Sequence, residues 1–158
     1  MSKLNSHSFS GFTLIETLIS LAIIMSLSVI GFQSFQNVNN SEALNKDISQ
    51  IISVLRQARS LTLDSKNADQ YGVHFENSQV VLFEGTTYIS SDINNVKTSL
   101  NNRVRISSIV LSGGGSDIIF EQLTGKTSQD GNITLSLINN PSNIKRITVY
   151  KTGLAEIN

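Results

Sequence analysis

The sequence predicts an α+β fold in which one long N-terminal helix packs against an antiparallel β-sheet. Three observations carry this. Residues 12–32 are apolar almost throughout. From Leu44 to Thr62 apolar side chains recur at helical spacing. Beyond residue 70 the period drops from 3.6 to 2 and stays there, and a helix followed by strands is the α+β order.

The first element is Phe12 to Phe32, within which Glu16 is the lone charge. At about 1.5 Å per residue it makes a helix of roughly 31 Å, close to the ~30 Å of bilayer hydrocarbon, so residues 12–35 are expected to span a membrane. A carboxylate within a span costs about 2.5–3.5 kcal/mol, which marks Glu16 as functional. A cleaved secretory signal fits poorly, because the apolar run exceeds about 7–15 residues and no small-x-small site follows it.

In the second half of the helix, Leu44, Ile48, Ile51, Ile52, Leu55, Ala58 and Thr62 fall on one face. Lys46, Gln50, Ser53 and Gln57 fall on the other. No proline intervenes, so one helix from about 12 to 64 is expected, with Gly31 as a soft point. Residues 64–70 form a breaker cluster. A hairpin follows, Tyr71–Glu76 against Val80–Glu84 around Asn77-Ser78-Gln79. The polar stretch 85–102 holds a short strand at Thr87–Ile89. Further strands are expected at 104–111, 117–121, 132–138, 145–150 and 154–157. In the strand at 132–138, Ile133, Leu135 and Leu137 should share one face, and Thr134, Ser136 and Ile138 the other.

Gly11-Phe12-Thr13-Leu14-Ile15-Glu16, after a short polar leader and at the head of an apolar helix, resembles the leader of type IV prepilins and type II secretion pseudopilins. The resemblance implies that prepilin peptidase cuts between Gly11 and Phe12 and methylates the new amine of Phe12. It also implies that Glu16 faces that amine on a neighbouring subunit during assembly. Residues 1–11 would be the leader, 12–35 the transmembrane and filament helix, and 36–158 a periplasmic α+β domain of type IV pilin-like fold. Downstream, Ala58-Arg59-Ser60, Gly72–Phe75, Ile119-Phe120, Leu123–Gly125, Ile147–Val149 and Thr152-Gly153 resemble the GspH/FimT branch of minor pseudopilins. This resemblance implies a subunit in the inner membrane whose partners are prepilin peptidase, other pseudopilins and secreted cargo. The alternatives are a FimT-type minor pilin of a type IV pilus, taking part in DNA uptake, and a signal-anchored periplasmic binding module.

The remaining features narrow the function. Among 158 residues, 12 basic side chains balance 12 acidic ones, and cysteine is absent, so neither a nucleic-acid binder by bulk charge nor a disulfide or thiolate framework is indicated. Gly125-Lys126-Thr127 lacks the upstream glycine of a phosphate loop, since position 120 is Phe. Gly113-Gly114-Gly115 lacks the setting of a dinucleotide fingerprint. His74 stands isolated from other ligand types in its strand, where a partly exposed or hydrogen-bonded role is expected rather than that of a ligand or base, and Asn132-Ile133-Thr134 is a coincidental sequon in a strand. No catalytic set can be assembled; the chain is not expected to be an enzyme or to use a cofactor or metal. Arg56 and Arg59 are expected to be solvated or paired with acids such as Asp47 or Asp64, with partner binding as the other role. Lys145, Arg146 and Lys151 form a local basic group, also a candidate for partner binding. FimT-type DNA binders carry arginine after a glycine near the C-terminus. Gly153-Leu154-Ala155-Glu156 has none there, so DNA is not an expected partner.

Overall fold

A computed structural model describes residues 11–64 and 69–158, with the side chains at 29–37 outside the described residues. Most of the leader, residues 1–10, and part of the breaker cluster, 65–68, also lie outside them. The helix α1 spans Leu14–Asp64, 51 residues, close to the expected bounds. Eight strands follow: β1 Tyr71–Phe75, β2 Gln79–Glu84, β3 Val96–Ser99, β4 Val104–Leu111, β5 Asp117–Ile119, β6 Gly131–Leu137, β7 Ile144–Val149 and β8 Ala155–Ile157. The chain divides into two compact units, residues 1–39 and 40–158.

In the second unit, the expected helical stripe is the core face. Leu44, Ile48, Ile51, Ile52, Leu55, Ala58 and Thr62 are all buried. Each fully buried Leu or Ile stabilises by about 1.5–3 kcal/mol relative to exposure. Thr62 is the polar member of the stripe. Its hydroxyl donates to the Ala58 carbonyl at 2.9 Å and accepts the Tyr71 N–H at 3.0 Å, tying the last helical turn to the start of β1.

The single expected sheet is two four-stranded sheets, β3-β2-β1-β5 and β4-β6-β7-β8, antiparallel at every pairing. Strand length shows the local period but not the partner, so sequence alone did not divide the strands. The expected strand at Thr87–Ile89 does not form, and β3 lies instead within the stretch taken as polar. Thr98 pairs with Val80 and Val96 with Leu82, so β3 is held by a hydrophobic neighbour rather than by its own hydrophobicity. A β3 edge strand with exposed Lys97 is the usual protection of a sheet margin.

In the first sheet Val73, Phe75, Val80, Leu82 and Ile118 join the helix-side core. The opposite face is also covered. Val81 and Phe83 are buried there, and Tyr88 from the 85–95 loop packs on Phe83 with ring centroids 5.6 Å apart. Gly72 lies under the Phe83 ring, where an added Cβ would come within 2.5 Å of a ring carbon. In the second sheet Ile133, Leu135 and Leu137 share the core face, and Ile138 is exposed. Ser136, from the other set, is buried as well. A bulge at Ser107 shifts the β4 register between Ile106 and Ser108. Val104 and Ile106 face the core before it, Ile109 and Leu111 after it, and Val110 turns outward.

Candidate functional site

The first unit begins its helix at a cap. Gly11, Phe12 and Thr13 lie outside helical structure and α1 starts at Leu14. Thr13 Oγ1 accepts the Glu16 N–H at 3.3 Å, the Thr-x-x-Glu arrangement of a helix N-terminus. Glu16 therefore sits in the first turn, where the helix dipole favours negative charge. The Gly11–Phe12 peptide bond is exposed, with no neighbour within 4 Å of a Cβ placed on Gly11 and with Phe12 82% exposed. A protease needs such uncovered backbone.

Through residue 28 the side-chain hydroxyls turn back on their own helix. Thr17 donates to Leu14, Ser20 to Glu16, Ser26 to Ala22 and Ser28 to Ile24, at 2.7–2.8 Å. This satisfies them without water, as an apolar surrounding demands. The neighbouring Leu14, Ile15, Leu18, Leu21, Ile24 and Met25 are exposed. Among the described polar side chains of residues 12–28, Glu16 alone has no hydrogen-bond or ion-pair partner for its own polar group. Among the described residues no helix is long and apolar enough to cross a membrane; the expected span 12–35 runs into residues 29–35, whose side chains lie outside those described.

In the second unit Arg56 and Arg59 do not pair with Asp47 or Asp64. Asp47 is buried and accepts the Asn101 N–H at 2.7 Å, while Asp64 accepts from Ser60 at 3.2 Å. Burial, the largest influence, raises the Asp47 carboxyl above 3.8 against the opposing effects of the Asn101 hydrogen bond and Lys46. Arg59 is half-buried, and its Nε donates to the Gly125 carbonyl at 3.0 Å. Gly153 closes that contact: at φ +76° an added Cβ would meet the Gly125 oxygen at 1.9 Å. Arg56 is exposed, and together with Arg59, Leu55, Leu63, Leu154 and Glu156 it lines a cleft of about 270 Å³ between α1 and β8.

Residues 6–32 match the family model of a prokaryotic N-terminal methylation motif. The chain carries a type IV prepilin-like N-terminus. Such a motif implies processing by prepilin peptidase and assembly with other pilins. Neither a curated protein nor a solved structure matches the chain.

The basic residues of this prepilin-like chain are only partly gathered. Lys145 and Arg146 are consecutive in β7 and so point to opposite faces of the sheet. Lys151 lies in the turn after β7, its carbonyl accepting the Thr127 N–H. His74 takes the partly exposed, hydrogen-bonded place expected of it. Its Nδ1 lies 2.5 Å from Asp117, its Nε2 3.9 Å from Glu76, and its ring stacks on Tyr88 at 3.9 Å. Burial first, then the Glu76 charge and hydrogen bond and the Asp117 charge, raises the Tyr88 phenol above 10.0. The signal for this cluster lay in pairing, since His74 opposes Asp117 across β1 and β5.

Proposed function

We propose that this chain is a minor pseudopilin: a non-enzymatic subunit cut by prepilin peptidase between Gly11 and Phe12, methylated at Phe12, and assembled through its N-terminal helix. Residues 12–35 anchor it in the inner membrane, and the domain from residue 36 onward lies in the periplasm. The observation that supports this best is Glu16, which lacks a partner in a stretch, residues 12–28, whose described hydroxyls are all internally bonded. Moved into hydrocarbon, a lone carboxylate gains from a nearby cation, and the amine freed at Phe12 of an adjoining subunit supplies one. The exposed apolar side chains around it would be covered by lipid or by neighbouring helices.

The likeness of the downstream segments to the GspH/FimT branch favours a subunit of the type II secretion pseudopilus, near its tip and in contact with cargo. Arg56, Arg59, Lys145, Arg146 and Lys151 are the candidate contacts on the domain. Co-expression with prepilin peptidase tests the reading by mass spectrometry of the mature chain. Loss of residues 1–11 and gain of one methyl group are expected; an intact leader overturns it. Glu16→Ala should be cut normally yet fail to enter filaments, and normal entry would remove Glu16 from assembly. Salt-sensitive binding of duplex DNA by the purified chain would move the assignment to a pilus subunit.

A further inference from the structure

The second sheet ends at β8, which has β7 on one side and, among the described residues, no strand on the other. Arg146 and Asn158 exchange both backbone hydrogen bonds, and the Tyr150 N–H donates to Leu154. Bonded positions alternate along an antiparallel ladder, so Leu154, Glu156 and Asn158 face β7. Ala155 and Ile157 therefore turn their N–H and C=O groups to the open edge. Two clefts border that edge, of about 270 and 470 Å³, and Arg56 and Glu156 line both. Their walls include exposed Leu63, Leu154 and Ile157.

Charge selects the occupant. Arg56 has no hydrogen-bond or ion-pair partner among the described residues. Arg59 uses Nε on Gly125 and adds a second positive charge, whereas Glu156, the one acid among the described residues that line the clefts, already accepts from the Tyr150 hydroxyl at 3.3 Å. We propose that the free edge of β8 seats an extended polypeptide segment carrying a carboxylate among apolar residues, added as a fifth strand to the second sheet. Ladder bonds to Ala155 and Ile157 set its register, the carboxylate pairs with Arg56, and the apolar side chains fill the clefts. This surface is independent of Glu16 and of assembly through the N-terminal helix.

The test uses the full chain in detergent micelles and two fluorescent heptapeptides of alternating valine and threonine, one with a central aspartate and one with a central lysine. Fluorescence anisotropy should show the aspartate peptide binding about tenfold more tightly, or about 1.4 kcal/mol. Arg56→Glu, at an exposed position, should invert that order. Ile157→Pro removes an outward N–H that β7 does not use, a position where an edge strand tolerates proline. It should leave the melting temperature in place while weakening the aspartate peptide about tenfold. Absence of binding, an order unchanged in Arg56→Glu, or stronger competition by a short DNA duplex than by unlabelled aspartate peptide would each overturn the proposal.

Discussion

Asp47 stands where the helical stripe calls for an apolar side chain, three residues after Leu44 and one before Ile48, and it is 2% exposed. Its carboxylate caps the Asn101 N–H, linking α1 to the turn ahead of β4. Burial raises its pKa in the folded state above 3.8, so its stabilising contribution is full below that value and is lost as pH rises through the folded pKa. Asp47→Asn keeps an acceptor for Asn101 without the charge. Chemical denaturation across pH should show the variant gaining on the wild type as pH climbs above 3.8; a gap moving the other way would contradict burial as the dominant influence. Gly153 is constrained by shape instead of charge. Gly153→Ala meets both a left-handed backbone and the Gly125 carbonyl, and should lower stability by about 3 kcal/mol, measured by urea unfolding.

At the level of elements, the second half of α1 was the most legible part of the sequence. All seven residues of the expected stripe are buried because a 3.6 period leaves no other face for them. Ile51→Ala should therefore cost about 2–5 kcal/mol in thermal or chemical unfolding, whereas Ser53→Ala, on the solvent side, should fall within about 0.5 kcal/mol of wild type. The strands were legible only in part. In β4 strict alternation places Ser108 and Val110 with Ile106, yet the bulge sends Ile109 and Leu111 inward, a shift recorded only in the pairing with β6. Strand β3 was hidden for a related reason. Val96-Lys97-Thr98-Ser99 has little hydrophobicity of its own, and its structure comes from Val80 and Leu82 across the ladder. The cap at Thr13, by contrast, was readable as Thr-x-x-Glu, a local pattern overshadowed by the prepilin likeness of the same residues.

Across the whole molecule, the two units present contrasting surfaces. The first leaves its described apolar residues uncovered, as a helix does when other molecules provide its surroundings. The second closes a core between α1 and both sheets and adds a smaller layer behind the first sheet, where Phe83, Tyr88 and His74 meet. That layer depends on Gly72, whose missing side chain admits the Phe83 ring. Gly72→Val should loosen the 85–95 loop before the main core, seen as faster amide exchange there while α1 amides stay protected. Sequence missed this layer because it joins a loop to the outer face of a strand pair, and neither period describes that.

The Thr62 hydroxyl fastens the beginning of β1 directly to the helix end, so the start of the hairpin does not depend on the spacing of the connecting residues. The last turn of α1 thus serves as the datum from which the hairpin is laid out: replacing Thr62 by Val, alike in shape but mute toward Tyr71, would cut that tie and leave β1 registered by its neighbours β2 and β5.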